Sequence, residues 1–278
     1  MLSRRTFLGT SALACLGGGV YGFGVEPLSL VVEALRVPVR GLPEGLDGFK
    51  IVALSDFHLY PFTELPFIQR AIELARGLNP DLVVLLGDFV DATAETIHEL
   101  APALAALNSK HGVFAVLGNH DIRKGPAVVA KTLRSSGIEV LMNRSVEIAV
   151  GSSYLRVAGV DSLMGRPDLE GTLRGGKDGV PTVLLAHEPD IADSVARYGR
   201  VDLQLSGHSH GGQVRLPLLQ SLSLPRWGRK YPFGRYQVGD MALYTGRGLG
   251  TTGVPIRIGS VPEVSEITLV RGEPRVQG

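Results

Sequence analysis

The chain has 278 residues, with 28 Lys and Arg against 27 Asp and Glu, 36 glycines, seven histidines and one cysteine. One cysteine excludes an intrachain disulfide and any structural zinc site built on several thiolates, and a net charge of +1 argues against a nucleic-acid partner held by bulk electrostatics. At 44% hydrophobic and 20% charged, the composition is that of a folded protein with core enough for one large α/β domain or two small ones.

Met1 to Arg5 carries the adjacent Arg4 and Arg5, and Thr6 to Val25 contains no charged residue before Glu26. A basic start ahead of an apolar run is the form of an export signal or a membrane anchor. The order Ser3-Arg4-Arg5-Thr6-Phe7-Leu8 resembles the bacterial twin-arginine (Tat) signal, an address read by the Tat export machinery. Residues 1–25 are therefore expected to be a Tat-like signal or membrane anchor, and residues 26–278 the working domain. This places the domain in the periplasm or on the outer face of the cytoplasmic membrane. Six glycines among the twenty uncharged residues weaken a firm transmembrane helix. Cleavage after Ala12-Leu13-Ala14, retention as an anchor, and lipidation at Cys15 all stay open.

Residues 28–40 read as an extended strand, and short apolar runs follow at 51–54, 82–86, 113–117, 138–141, 154–158, 182–186 and 202–205. Helical spacing fills 65–77, 94–108, 126–136 and 189–198. In the first of these, Ile68, Ala71, Ile72 and Ala75 recur at three and four residues, with Arg70, Glu73 and Arg76 between them. Strand–helix alternation implies a substantially parallel α/β core. The second half has more strand and less helix, which points to a second sheet packed on the first.

Five clusters sit just beyond these apolar runs: Asp56-Phe57-His58, Gly87-Asp88-Phe89-Val90-Asp91, Gly118-Asn119-His120-Asp121, the lone His187, and Gly207-His208-Ser209-His210-Gly211-Gly212. The C-terminal ends of parallel strands are where α/β folds place their sites. Side chains at i and i+2 of extended chain point the same way, so Asp56 and His58 are expected to reach one ion together, with His208 and His210 a looser pair because of their glycines. Five of the seven histidines lie at such ends, whereas solvated histidines scatter as His98 and His111 do. Carboxylate, amide oxygen and imidazole together suit borderline divalent metals such as Mn, Fe or Zn, and so many ligands suit two ions.

In order and complete, these clusters resemble the calcineurin-like metallophosphoesterase superfamily, over residues 50 to about 270. Within it the chain is similar to an exported bacterial branch of small phosphodiesterases. The resemblance implies a four-layer α/β/β/α sandwich of two mixed sheets and a phosphoester hydrolase using a hydroxide that bridges two metal ions. It implies one metal held by Asp56, His58 and His210, another by Asn119, His187 and His208, with Asp88 bridging. It also implies that His120 is the acid beside the leaving group, oriented by Asp91. Protein phosphatases of the superfamily carry Arg immediately after the position of Asp91, where this chain has Ala92, so Arg215 and Arg247 become the candidates for binding phosphate.

Residues 215–236 mix leucines with Arg226, Trp227, Arg229, Lys230 and Tyr231, which suits a membrane interface, although a loop packing its leucines on the sandwich has the same composition. The sequence is thus read as an exported dinuclear-metal phosphodiesterase whose substrate is a phosphodiester, lipid-linked if the interface reading holds. A UDP-sugar-lipid pyrophosphatase and a broad phosphomonoesterase are the enzymatic alternatives. A non-catalytic interaction scaffold is the alternative of another class, and it is disfavoured because every ligand and His120 are present.

Overall fold

The run Leu82–Leu85 is buried at every position, the pattern expected of a strand covered on both faces. In the computed structural model, which describes residues 19–176, 179–215 and 224–272, it is the centre of a sheet. In chain order the elements are β1 (Val31–Arg40), β2 (Lys50–Leu54), α1 (Leu65–Gly77), β3 (Leu82–Leu85), α2 (Ile97–Leu104) and β4 (Val113–Ala115). Next come α3 (Asn119–Lys124), α4 (Pro126–Ser135), β5 (Glu139–Val140), β6 (Arg144–Val150), β7 (Ser153–Gly159) and α5 (Leu169–Leu173). The last are β8 (Thr182–Leu185), α6 (Ala192–Tyr198), β9 (Leu203–Ser206), β10 (Gly234–Val238), β11 (Met241–Thr245) and β12 (Glu263–Gly272).

Two six-stranded mixed sheets result, ordered β1-β12-β2-β3-β4-β5 and β10-β11-β9-β8-β7-β6. In the first, β2 to β5 are parallel, while β12 runs antiparallel to β2 and parallel to β1. In the second, β7, β8, β9 and β11 are parallel, with β6 and β10 antiparallel at the edges. The inner faces share one core, in which Val84 and Leu86 of the first sheet meet Val183 and Leu205 of the second. The buried stripe of α1 (Phe67, Ile68, Ala71, Ile72, Ala75) joins α2 and α4 on the outer face of the first sheet. Ala192 and Val195 of α6 cover the second. The architecture is the four-layer α/β/β/α sandwich that the sequence leads one to expect.

The differences are local. The helix expected over 94–108 opens with a 3-10 turn, Ala94–Thr96, and α2 ends at Leu104. The edge strand β1 pairs residue for residue with β12, from Val31 with Glu263 to Arg40 with Gly272, a partnership more than 200 residues apart that no local pattern reveals. What matters for function is the common polarity of β2, β3, β4, β8 and β9. Their C-terminal ends bring all five polar clusters to one edge of the sandwich. No helix among the described residues is long and apolar enough to cross a membrane, and residues 1–18, with Cys15, lie outside those described.

Candidate metal centre

Beyond the strand ends the backbone does not stay extended. Asp56, His58, Asp88, His208 and His210 all have positive φ, between 42° and 73°. For non-glycine residues such a conformation costs roughly 1–3 kcal/mol each and persists only where the surroundings dictate it. The expectation that i and i+2 side chains converge because the chain is extended is therefore corrected. Asp56 and His58 do converge, through two left-handed residues, but His208 and His210 part company. Three groups of donor atoms form, each with its atoms within 4.8 Å of one another: Asp56, His58 and His210; Asp88, His187 and His208; and His58, Asp88 and His120.

Asp88 links the groups. Its Oδ2 lies 3.4 Å from His58 Nε2 and 3.2 Å from His187 Nε2, while Oδ1 accepts the His120 backbone N–H at 2.8 Å. Gly118 precedes α3 because a Cβ there would collide with the Asp88 carboxylate. Asn119 Oδ1 lies 3.2 Å from His187 Nε2. The Asp56 carboxylate accepts the His208 backbone N–H and sits 3.5 Å from His210 Nε2. Burial opposes ionisation of both aspartates, yet the neighbouring imidazoles hold both carboxyls below the usual carboxylate range, Asp88 furthest.

The far ring nitrogens show why these atoms face inward. His187 Nδ1 lies 2.6 Å from the Leu86 carbonyl, His208 Nε2 2.7 Å from that of Arg226, and His210 Nδ1 3.1 Å from that of Gly250. A carbonyl can only accept, so each of these nitrogens carries the proton and the opposite one presents a lone pair. The result is a convergence of acceptors: His187 Nε2 stands 3.3 Å from His208 Nδ1, and His58 Nε2 stands 3.1 Å from His210 Nε2. Burial and the neighbouring His58 and Arg257 push His210 down to about 3, so it takes no second proton at neutral pH. Burial opposes protonation of His187, but Asp88 outweighs it and holds that imidazole well above its usual value. That proton is a cation where a metal would otherwise stand. Two sets of inward-facing acceptors sharing one carboxylate fit two divalent ions.

His120 is more open than the ligand set and stands edge-on to His58, with ring centroids 4.7 Å apart. Its Nδ1 is 2.7 Å from Asp91 Oδ1, which also takes a hydrogen bond from Thr252 Oγ1. Burial works against Asp91 ionisation, but His120 and His58 hold its carboxyl far below the usual range. A cleft of about 440 Å³ opens over the clusters, walled by His120, Arg123, Gln213, Thr252 and Val254.

Neither Arg215 nor Arg247 lines that cleft. Arg247 is committed to Glu263 at 2.5 Å and Glu33 at 2.9 Å, and Arg215 donates to the Gly259 carbonyl and lies over the Phe233 ring. Sequence proximity to the site loops is misleading because both side chains turn away from it. The cations at the mouth are Arg123 and Lys124 of α3, beside His120 and Asp91.

Three further residues have roles that the sequence reading does not assign. Buried Asp121 accepts N–H groups from Gly118, Asp88, Phe89 and Val90, tying two ligand loops together. Burial and Asp88 push its carboxyl up to about 7. Its place at the third helical position after Gly118 is a capping signal visible in sequence. Gln213 fastens the cleft wall through Thr252 and Val254. Fully buried Arg257 donates to the Gly250 carbonyl that also receives His210, and nothing local in the sequence marks it. In the stretch 215–236, residues 216–223 lie outside the described residues. Of the rest, Leu224 and Tyr231 are buried, Lys230 pairs with Asp193, and Arg226 supports His208 through its carbonyl. These described residues support the site instead of forming an exposed apolar face.

Residues 49–212 match the family described as calcineurin-like phosphoesterase. The chain is 38% identical over 281 residues to a Bacillus subtilis protein named uncharacterized metallophosphoesterase YkuE, covering 96% of this chain and 98% of that one. It is 33% identical over 282 residues to phosphodiesterase YaeI of Escherichia coli, covering 97% and 100%. Among solved structures, it is similar to a 5'-nucleotidase precursor from Thermus thermophilus at a TM-score of 0.52 and 16% identity, over 73% of this chain and 49% of that one. A two-sheet sandwich with two acceptor clusters at its strand ends, joined to these matches, means that the chain belongs to the calcineurin-like phosphoesterase family of metal-dependent phosphoester hydrolases.

Proposed function

We propose that the protein is an exported phosphodiesterase, with Asp56, His58 and His210 holding one metal ion, Asn119, His187 and His208 the other, and Asp88 between them. The observation that carries this reading is His120, which faces the cleft beside both clusters and rests on Asp91 at 2.7 Å. Two divalent ions bound there would supply the Lewis acidity that phosphoester hydrolysis needs. The chain's own residues do the rest. His120 donates a proton to the departing alkoxide, a service worth roughly 10²–10⁴-fold, and Asp91 positions it. Arg123 and Lys124 at the cleft mouth attract the diester anion. A diester leaves one substituent on phosphorus, and an open cleft leaves room for it. The absence of arginine after Asp91, where Ala92 stands, removes a second clamp for a dianionic monoester. The similarity to a protein named phosphodiesterase supports the same choice. The substrate is a lipid-linked diester on the outer face of the membrane, reached by Tat export through Arg4 and Arg5.

The test measures turnover of bis-p-nitrophenyl phosphate and p-nitrophenyl phosphate with Mn, Fe and Zn in turn. The diester should be preferred with at least one metal. A preference for the monoester with all three would overturn the diester reading in favour of a phosphomonoesterase. Mass spectrometry of the N-terminus after cell fractionation checks export, and an intact chain confined to the cytoplasm would sink it.

A further inference from the structure

The described chain begins with a row of side chains that face water although they are apolar. Val20, Tyr21, Phe23, Val25 and Leu28 are 47% to 69% exposed. This exposure is not fraying, because the segment is fastened to the domain. The Gly22 carbonyl accepts the Arg257 backbone N–H at 3.0 Å, and the buried Glu26 carboxylate accepts that of Ser260. Gly22 lies so close to the domain that a Cβ there would stand 2.8 Å from Ile258 Cγ1. The backbone faces inward and the large side chains outward. Across a groove of about 350 Å³ from Leu28 stands Phe62, itself 40% exposed, with Phe67 and Leu249 in the lining. Glu64 and Arg70 also line the groove, and an apolar surface rimmed by polar residues in this way marks an interaction site.

We propose that this face rests on a lipid bilayer. Two observations choose that occupant. The first is the chain outside the described residues: eighteen residues lead to Gly19, uncharged from Thr6 onward behind Arg4 and Arg5. The apolar run therefore continues into the exposed row without a break, and residues 20–25 contain no charge at all. Stable membrane attachment generally takes two signals, and the fixed row adds a second to the run before it. The second observation is position. Thr251 lines the apolar groove while Thr252, Gly253 and the 48% exposed Val254 line the metal cleft. The two therefore share one rim. A phosphodiester carried by a lipid reaches the clusters without leaving the surface, a consequence that rests on the proposed diester reading, whereas the docking itself does not.

The test uses the full chain with Cys15→Ser and one new cysteine, Phe62→Cys or Lys110→Cys, labelled with an environment-sensitive fluorophore. Lys110 is 72% exposed and precedes β4, at the opposite end from the clusters. On adding phosphatidylethanolamine–phosphatidylglycerol vesicles, the label at position 62 should shift to the blue and be quenched by nitroxide lipids, while the label at 110 stays unchanged. A label at 62 that remains in water while the protein floats with the vesicles overturns the proposal, because the leading segment alone then holds the protein. So does a label already blue without vesicles, which means that the chain's own terminus, or a second copy if the effect depends on concentration, covers the face. A second variant, Phe23→Ser with Leu28→Ser, should lower the vesicle-bound fraction and the turnover of a vesicle-borne diester at least tenfold. Its turnover of soluble bis-p-nitrophenyl phosphate should be unchanged; if the parent fails on that soluble diester, the function reading falls and the label experiment still decides docking.

Discussion

The histidines at the two sides of the cluster are anchored to opposite kinds of partner. His187, His208 and His210 each donate a ring N–H hydrogen bond to a backbone carbonyl, of Leu86, Arg226 and Gly250. His58 and His120 instead turn Nδ1 toward the same carboxylate oxygen of Asp91, at 3.5 Å and 2.7 Å. A carbonyl anchor fixes the tautomer and leaves a lone pair facing inward, which is what a metal needs. A carboxylate anchor orients a ring just as firmly, and here it holds both His58, a proposed ligand, and His120, the proposed general acid. Within the Asp91 pair it is position, and not the outer partner, that separates the two rings: His58 is buried among the other donor atoms and His120 opens onto the cleft.

The largest test of that contrast is His120→Ala. Turnover of an alkyl phosphodiester should fall by roughly 10²–10⁴-fold, with metal content by mass spectrometry unchanged and p-nitrophenyl leaving groups less affected. Loss of one metal in this variant would make His120 a ligand, consistent with its place in a group with His58 and Asp88. Asp91→Asn should come next, at roughly 10–100-fold, with a shifted pH–rate profile. A purely structural Asp91 would lower activity without moving that profile.

The metal side predicts a pH dependence of smaller size. Asp88 raises the His187 pKa well above its usual value in the metal-free protein, so below that pKa a metal ion has to displace a proton. Affinity should therefore fall with falling pH, up to about tenfold per unit for one proton, as titration calorimetry in two buffers would show. No proton release between pH 6 and 8 would contradict the assignment. Smallest is the effect at the arginines. Arg123→Ala should raise KM several-fold with little change in kcat, whereas Arg247→Ala, whose side chain is spent on Glu33 and Glu263, should leave KM unchanged.

Much of this site was legible in the chain because its parts are local. Each cluster is a short string beyond an apolar run, and parallel strands carry such strings to one edge whatever the loops between them. The buried stripe of α1 was readable for the same reason, since Ile68, Ala71, Ile72 and Ala75 follow the helical period. What failed was reasoning that took nearness in sequence for nearness in space. Arg247 lies just before the Gly248–Thr252 loop yet turns to Glu33, more than 200 residues away. Leu224 and Tyr231 are buried and Trp227 is half-buried, while a run of exposed apolar side chains stands instead at Val20 to Leu28.

By itself the sequence determined which side chains are gathered as candidate metal ligands and which strand ends present them, because residue type and hydrophobic period are carried along the chain. Only the tertiary structure decided how each is aimed. The left-handed turns at Asp56, His58, Asp88, His208 and His210 are paid for by contacts from other segments. The protonation of each imidazole is set by carbonyls as distant as Leu86 is from His187. Tautomer, strain and the direction of an arginine depend on groups that meet only after folding, and no local pattern encodes them.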